Sequence, residues 1–567
     1  MDIIDAVMPV KNTSTTRDNL ANSLLIIGTA IFVLAFLIMA LSSICFIGGY
    51  TISKSIFIIS FLATITYCLT LSKILLPELR LNQSLYITGT FVLVMAISAV
   101  ISSAVYDLSW DGQTYHQKAV YYLANNWNPY QEKVSDIWVD HYAKGSWIYA
   151  ASFYKLVNRI ESGKLFNIAF IIGSFIISSA ALITNKNIKI INAYILGFIA
   201  AFNPVSIYQS LSFYVDGQLS SLLVALSSIL YLFASNKNKN IYALLLIPII
   251  IILVNVKFTG LVYSVIIMLT FAVYLFVYST KKDFYRFLLI SVFSLAMAVF
   301  IIGYNPYVIN NKFYGHPFYP LAGKQAVDII TSNEPRALNN KNQFHKLFIS
   351  IFSKTGNYDP NSYKSNKIPQ QKFSGLEQQF LTYSNTDNRI GGFGVFFGLL
   401  FILSIFLTII LLISNIPNKK YFLAAMAILW LTVAANPACW WSRYVPQLWL
   451  FPILPAVFAL SISPQKVLVI LAKVIIFIAL INVLTISYFY TQSQLNETQK
   501  IRNLISNLSR DNVSVLIGNK DWMATRIRLD ENKINYQILS PKKLPCPHPK
   551  YFPSSIVPYC INSGNPF

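Results

Sequence analysis

The chain has 567 residues, of which 55% are hydrophobic and only 12% are charged, with 44 basic against 22 acidic side chains. A soluble domain carries about 25% charged residues, so this composition excludes an ordinary soluble protein and indicates an integral membrane protein. On a soluble protein the net charge of +22 would suggest nucleic-acid binding. Here it is explained by cytoplasmic lysines and arginines that set the topology, so membrane lipids are expected as partners and nucleic acid is not.

Apolar segments long enough to cross about 30 Å of hydrocarbon recur along most of the chain. The apolar run that follows the polar residues 1–20 lacks a small-residue cleavage site, which predicts an uncleaved first helix. The pattern predicts an all-α, multi-spanning fold of about 13 transmembrane helices. The predicted spans are 22–45, 54–76, 84–105, 164–184, 188–203, 213–234, 241–254, 258–279, 284–305, 392–414, 420–436, 443–461 and 467–489.

Lysine and arginine are concentrated in alternate short loops, as in Arg80, Lys186 and Lys281, which predicts that these loops and the N-terminus are cytoplasmic. The opposite short connections are nearly bare, with Lys257 and Arg443 as the exceptions. We therefore expect a multi-pass protein of the bacterial inner membrane. Its large loops 106–163 and 306–391 and its tail 491–567 would face the periplasm or exterior.

The tail differs in pattern from the rest of the chain, so we predict a transmembrane domain over 1–490 and a small extracytoplasmic domain over 491–567. The string VSVLIG (513–518) predicts a strand, and DWMATRIRLDE predicts a short helix, so the tail would be a small α/β appendage. The cysteines have no zinc-like spacing. Cys546 and Cys560 lie in a proline-rich segment that has little core of its own, which favours a disulfide in an oxidising compartment.

A polar, aromatic-rich segment from Asp107 to Tyr154 interrupts the apolar spans. It includes two acids four residues apart, two histidines and two lysines: Asp107, Asp111, His116, His141, Lys118 and Lys144. A carboxylate in a tyrosine- and tryptophan-rich pocket at a membrane surface is suited to act as a general base, because partial desolvation raises its pKa toward the working pH. Asp111 also suits a simpler role as the N-cap of the helix that follows it.

The string WDGQTYH (110–116) resembles the W-D-x-x-x-Y-H signature in the first large outer loop of GT-C glycosyltransferases, the multi-spanning superfamily of the protein O-mannosyltransferases and the lipid A aminoarabinose transferase. Further strings resemble later parts of that family in order: HYAKGSWIYAASFYKL (141–156), NPVSIYQSLSFYVD (203–216), NVKFTGL (255–261), GHPFYPL (315–321) and WWSRYVPQLWLFPILP (440–455). The resemblance covers roughly 100–460 and implies a GT-C-like fold for the transmembrane domain.

The resemblance implies that Asp111, with Asp107 nearby, is the catalytic base for an acceptor hydroxyl. The donor would be a sugar on a polyprenyl phosphate, attacked with inversion at its anomeric carbon. A phosphate leaving group needs cations where its charge develops, and Lys144, Lys257 and Arg443 are the candidates. Each cation could instead extend to the interface as a membrane anchor, and Arg443 could stack on an aromatic neighbour. Tyr444 is itself a candidate for substrate binding, because with Trp440 and Trp441 it could form the wall of a lipid headgroup pocket.

Three further residues are candidates for substrate binding. Asp216 would orient the acceptor or bind a divalent metal, Mg²⁺ or Mn²⁺, although it also suits an N-cap. His116 and His316 would bind phosphate or metal, or serve only as structural hydrogen-bonding groups. Apart from that metal, the sequence indicates no cofactor.

The sequence therefore predicts an inverting membrane glycosyltransferase that moves a sugar from a polyprenyl-phosphate donor to a lipid-linked glycan, a surface polysaccharide or a protein. One alternative is a transporter or flippase for lipid-linked oligosaccharides, which would place charged residues near the middle of the bilayer. The other is a glycan polymerase or ligase, which accounts for the 306–391 loop but leaves WDGQTYH unexplained.

Overall fold

The computed structural model describes residues 13–236, 238–358, 368–370, 375–414, 417, 419–462, 465–511, 513–518 and 522–562. Parts of the predicted 306–391 loop and of the tail lie outside these residues. The chain is mostly helical. The first half contains α1 Thr13–Ile47, α2 Lys54–Leu75, α3 Leu81–Ala104, α4 Gln117–Ala124, α5 Ile137–His141, α6 Gly145–Val157, α7 Leu165–Ile183, α8 Ile190–Ala201, α9 Pro204–Gln209, α10 Asp216–Ser235, α11 Lys239–Val256 and α12 Phe258–Tyr278.

The second half contains α13 Lys281–Ala296, α14 Ile309–Tyr314, α15 Ile329–Ser332, α16 Gln343–Ile351, α17 Leu376–Leu381, α18 Phe397–Ile413, α19 Lys419–Ala434, α20 Leu450–Ile462, α21 Lys466–Arg510 and α22 Met523–Glu531. Its strands are β1 Ser514–Ile517, β2 Tyr536–Ile538, β3 Lys550–Tyr551 and β4 Pro558–Asn562.

A helix lies over each of the 13 predicted spans, but among the described residues nine helical segments are long and apolar enough to cross a membrane. They are α1, α2, α3, α7, α10, α11, α12, α13 with the π-helical turn that continues it, and α21. The helices over the other four predicted spans are shorter: α8 has 12 residues, α18 has 17, α19 has 16 and α20 has 13. A full crossing needs about 20 residues. The count of 13 crossings therefore stays a prediction.

The core of the first half forms where α1 packs against α7. A Cβ added to Gly28 of α1 would lie 2.6 Å from Ile177, and one added to Gly173 of α7 would lie 3.1 Å from Phe32. The two glycines therefore let the helix backbones approach closely, as small residues do between membrane helices.

The two ends of the helix bundle differ: polar contacts between helices close one end, and the candidate site lies at the other. At one end Arg17 donates hydrogen bonds to the carbonyls of Ile183, Asn185 and Ile188, at 2.5 to 2.7 Å. Lys239 of α11 and Asp283 of α13 form an ion pair of 3.3 Å. The opposite end carries the segments that follow α3 and α19, the start of α10 and the junction of α11 with α12, and the candidate site lies there.

The tail forms a four-stranded sheet in the order β2-β1-β4-β3, with β1 parallel to β2 and antiparallel to β4. The predicted disulfide is present between Cys546 and Cys560, whose Cα atoms are 6.0 Å apart. The strand and the helix predicted from the sequence correspond to β1 and α22. Helix α21 runs without a break across residue 490, the predicted boundary between the two domains.

Candidate active site

A cavity of about 1240 Å³ opens at the end of the bundle that carries the polar segment. It is lined by residues from every part of the chain that converges there, including both strings around Asp111 and Arg443, the start of α10 and the second half of α21. Six of the nine predicted site residues line it: Asp111, His116, Asp216, Lys257, Arg443 and Tyr444. The structure thus brings together residues that are up to 333 positions apart in the sequence (Asp111 to Tyr444).

Asp111 begins the helical turn that leads into α4, and it does not cap that turn. An N-cap residue normally has a non-helical backbone, whereas Asp111 is already helical (φ −61°, ψ −37°) and its side chain makes no capping hydrogen bond. Its carboxylate lies in the cavity and is 23% exposed. The group is therefore available to a substrate while lying beside the rings of Tyr115 and Tyr214, which line the same cavity.

Arg443 lies at the centre of a group of carboxylates. It belongs to a short 3-10 turn, Ser442–Tyr444, and thus precedes α20 rather than starting the span as predicted. Its Nη1 is 3.4 Å from Asp111 Oδ2 and 4.0 Å from Asp216 Oδ2, and its Nε is 3.4 Å from Asp387 Oδ1. Burial alone would lower the pKa of Arg443, but Asp387 and the other acidic groups around it raise that pKa well above its ordinary value. The guanidinium is therefore a permanent positive charge in the cavity wall.

The guanidinium of Arg443 is also held by aromatic rings. Its Cζ lies 4.8 Å from the ring centre of Trp441, 5.1 Å from that of Tyr214 and 5.4 Å from that of Tyr444. Cation–π contacts at these distances are favourable, and they fix the plane of the guanidinium. The aromatic stacking considered in the sequence analysis is therefore present together with the carboxylate contacts.

Asp216 and Lys257 form a second pair in the cavity wall. Asp216 is the first residue of α10, where the helix dipole stabilises a negative charge, and it is 2% exposed. Its Oδ1 accepts a hydrogen bond from Lys257, and its Oδ2 accepts one of 2.9 Å from Gln209. Lys257 is the one extended residue between α11 and α12, and its Nζ also lies 4.2 Å from the ring centre of Tyr444. Asp216 is thus already fully paired, in contrast to Asp111.

Asp387 and Arg389 are cavity residues that the sequence analysis did not single out. Asp387 accepts a 2.8 Å hydrogen bond from Trp441 Nε1, and its Oδ2 lies 3.4 Å from Arg389 Nε. The guanidinium of Arg389 lies 4.7 Å from the ring of Trp441. The only signal for them was an acid and a base two positions apart before a glycine pair, in the string TDNRIGG (386–392) of the long loop.

His116 is a buried neutral imidazole. Its Nδ1 accepts a 2.7 Å hydrogen bond from Trp147 Nε1, so the ring proton is on Nε2. Burial lowers the pKa of His116 to about 3. It therefore meets the cavity as a hydrogen-bond donor without charge.

Asp107 does not line the cavity and is completely buried. Its carboxylate accepts hydrogen bonds from Ser109 N (2.8 Å), Ser109 Oγ (2.6 Å) and Phe213 N (2.8 Å). A Cβ on Gly112 would lie 2.0 Å from Asp107 Oδ2, so glycine is required for this close approach. Asp107 thus ties the turn that presents Asp111 to the segment before α10.

Lys144 and His316 also lie apart from the cavity. Lys144 is 2% exposed, and its Nζ donates to the carbonyls of Asp140 (2.8 Å) and Tyr142 (3.0 Å) and to Asn305 Oδ1 (2.7 Å). Burial lowers the pKa of Lys144 to about 7. His316 Nδ1 accepts a 3.1 Å hydrogen bond from Phe318 N. In this structure both residues stabilise loops.

A buried ionic network joins the tail to the floor of the site. Arg528 of α22 donates to the carbonyl of Asp107 (2.7 Å), to Glu161 Oε1 (3.0 Å) and to Gln113 Oε1 (3.1 Å). Glu161 also pairs with Lys164 at 2.6 Å and accepts from the amide of Asp107. The tail is therefore part of the support of the turn that carries Asp111.

Within the described residues no group of three or more His, Cys, Asp or Glu side chains is arranged to hold a metal ion. The three carboxylates around Arg443, those of Asp111, Asp216 and Asp387, are paired with the Arg443 guanidinium and with Lys257. A role for Mg²⁺ or Mn²⁺ stays a prediction.

Comparisons with known proteins leave the family open. No protein-family model matches the chain, and no curated protein matches it. Among solved structures, that of ArnT from Cupriavidus metallidurans bound to undecaprenyl phosphate aligns with 80% of this chain and 86% of its own. The two chains are 12% identical, with a TM-score of 0.39.

Proposed function

We propose that this protein is an inverting membrane glycosyltransferase that moves a sugar from a polyprenyl-phosphate donor to a hydroxyl acceptor, with its active site at the outer membrane surface. The observation that carries the proposal is the pairing of Asp111 with Arg443 in one large cavity at the helix ends. It puts a partly exposed base beside a fixed cation, which are the two groups that this transfer needs.

In the proposed reaction Asp111 accepts the proton of the acceptor hydroxyl as the oxygen attacks the anomeric carbon. The bond between that carbon and the phosphate oxygen breaks, and the polyprenyl phosphate leaves with the electron pair. Arg443 offers a planar fork of N–H donors that suits phosphate oxygens. Lys257 adds a second positive charge on the same wall, and its Nζ lies 4.2 Å from the ring centre of Tyr444.

The ion pairs of the site support an exchange of partners when donor binds. Asp216 is held by Lys257 and Gln209, and Asp387 by Trp441 and Arg389, so neither depends on Arg443 alone. Asp111 has Arg443 as its ion-pair partner, at 3.4 Å. A donor phosphate that takes this place on Arg443 would leave Asp111 free to act as the base.

Asp107, Lys144 and His316 have other roles in this proposal. Asp107 is a positioning residue, because its hydrogen bonds fix the turn that presents Asp111. Lys144 and His316 hold the loops that frame the cavity. His116 offers its Nε2 proton to a substrate oxygen as a neutral donor.

Glycan analysis of cells that lack this protein tests the proposal, because a missing sugar identifies donor and acceptor together. Wild-type protein should restore the glycan, and Asp111→Asn should not, although it is expressed and folded, since asparagine keeps the shape and removes the base. Asp107→Asn should lose less activity per folded molecule. Full activity in Asp111→Asn with loss in Asp107→Asn would show that the wrong acid is assigned, and an unchanged glycan profile in the deletion strain would refute the function.

A further inference from the structure

The side chains that line the cavity form two chemically unlike groups, here called walls. One is aromatic: the ring of Tyr115 lies 6.4 Å from that of Trp138 and 5.9 Å from that of Tyr142, which in turn lies 5.8 Å from Phe258. Ligand pockets for one small molecule commonly measure about 300–1,000 Å³. At about 1240 Å³ the cavity has room for a donor headgroup and a second substrate together.

The second wall is formed by short polar side chains from three separate segments. We call it the polar wall, and it consists of Ser384, Asn385, Thr386, Ser493, Glu497 and Ser554. Its segments are in contact, since Gln494 Nε2 donates to Ser384 O (3.4 Å) and Ser554 Oγ lies 3.0 Å from Glu497 Oε2. Hydroxyl, amide and carboxylate groups on one surface suit a ligand that is rich in hydroxyls.

Trp110 stands beside the polar wall and is 58% exposed, although it lines the cavity. Its ring is braced edge-on by Trp522, with centroids 4.8 Å apart and an angle of 90°. Trp522 Nε1 donates to Gln113 Oε1 (3.3 Å), and Gln113 Nε2 donates to the carbonyl of Ser554 (2.8 Å). A large apolar ring is thus held in a fixed position with one face open, immediately before Asp111 in the chain.

We propose that Trp110 and the polar wall form an acceptor subsite for a neutral saccharide. The assignment of this saccharide as the acceptor rests on the proposed function. The C–H face of a pyranose packs on an aromatic ring through dispersion and burial of apolar surface, while the hydroxyls at its edge require hydrogen-bond partners. The open ring of Trp110 provides the aromatic surface, and the polar wall provides the hydrogen-bond partners. Glu497 is ion-paired with Lys500 at 2.6 Å, so the polar wall carries no unpaired charge and suits a neutral sugar.

This subsite explains how an acceptor hydroxyl reaches the base. Trp110 and Asp111 are consecutive and both line the cavity, so a sugar ring stacked on Trp110 would lie within reach of the Asp111 carboxylate. The donor headgroup is then left with Arg443, Lys257 and the aromatic wall. The acceptor class is thereby narrowed to a glycan, free or lipid-linked.

Saccharide binding in the absence of donor tests the subsite. The full-length protein in lipid nanodiscs is titrated with neutral trisaccharides of glucose, galactose, mannose and N-acetylglucosamine, with binding followed by saturation-transfer NMR. At least one should bind. Its Kd should rise roughly tenfold in Trp110→Ala, in line with the loss of one well-packed aromatic contact, and should change little in Trp110→Phe. Tyr86→Ala, which removes an exposed aromatic (73%) on α3, is the matched control.

The outcomes separate the subsite from the proposed function. Binding that survives Trp110→Ala, or no binding of any trisaccharide, overturns the subsite, even if Asp111 and Arg443 prove essential for transfer. If saccharide binding depends on Trp110 but the protein shows no transfer activity, the subsite is upheld and the proposed glycosyltransferase function is refuted. If Trp110 is only a membrane-interface anchor, Trp110→Ala lowers the melting temperature and leaves the Kd per folded molecule unchanged, which also overturns the subsite.

Discussion

Replacement of Arg443 by alanine is expected to weaken the binding of polyprenyl phosphate. Strong charge-assisted N–H···O bonds measure about 2.7–2.9 Å. The contact of Arg443 with Asp111, at 3.4 Å, is longer and is readily exchanged for a phosphate oxygen. In the alanine variant Asp216 keeps Lys257 and Asp387 keeps Arg389, but Asp111 loses its ion-pair partner. The unpaired carboxylate would repel phosphate, so the lost phosphate contact sets the minimum effect.

The magnitude follows from the energy of one charged contact. A hydrogen bond to a charged group contributes about 1.5–3 kcal/mol, and about 1.4 kcal/mol corresponds to a tenfold change in Kd. Arg443→Ala should therefore weaken binding roughly 10- to 100-fold. Arg443→Lys should recover part of the loss, because lysine supplies the charge without the planar fork. Turnover per folded molecule should fall further, by about 10²–10³ in all, if the guanidinium also stabilises the leaving phosphate.

Native mass spectrometry of the purified protein with polyprenyl phosphate measures this directly. Arg286→Ala is the matched control, since it removes the same charge from a pair with Asp283, next to Lys239 at the opposite end of the bundle. The reasoning is refuted if Arg443→Ala binds within about twofold of wild type, or if Arg286→Ala loses as much. Lower stability with unchanged turnover per folded molecule would show that Arg443 only anchors the helix end.

Cysteines introduced at Gln131 and Asn532 should react with an impermeant thiol reagent in intact spheroplasts; labelling only after lysis would reverse the orientation. Burial raises the pKa of Glu531 from 4.5 to about 7, so the folded state holds this proton more tightly than the unfolded state. Stability should therefore fall by at most about 3 kcal/mol as the pH rises from about 4.5 to about 7, and thermal melts of Glu531→Gln should lose most of that slope. Arg528→Ala breaks a buried pair with Glu161 and should cost about 3–5 kcal/mol in the same melts. The double variant Arg528→Ala, Glu161→Ala should lose less than the sum, and strict additivity would contradict the coupling.

The sequence was sufficient for the class of the protein and for the position of its helices, because membrane spans are encoded locally by runs of apolar residues. The strand around Val515 and the Cys546–Cys560 disulfide were also predictable from local pattern. The number of crossings was less accessible, since α8 ends early and α20 begins late, and these boundaries depend on packing that a run of apolar residues does not show.

The site could be predicted only as a set of candidates. Asp107 and Asp111 are both acids in one polar segment. The sequence cannot show that Asp107 is buried against Gly112, where only glycine leaves room for its carboxylate, while Asp111 lines the cavity. Lys144 has the charge of a phosphate ligand, but its hydrogen bonds to nearby carbonyls are a tertiary property. Asp387 was missed because it comes from a long loop without periodicity, and its role depends on a contact with Trp441, 54 positions away.

The unbroken helix α21 has a consequence for the size of the acceptor. It has 45 residues, so at 1.5 Å per residue it is about 68 Å long, whereas a bilayer with its headgroups is about 40–45 Å thick. At least about 20 Å of the helix therefore extends beyond the lipid, but Ser493 and Glu497 lie 27 and 31 residues after Lys466, only about 40–47 Å along it. With Lys466 at one membrane surface, both residues lie at the level of the opposite headgroups, so a sugar linked directly to a lipid is long enough to reach the polar wall.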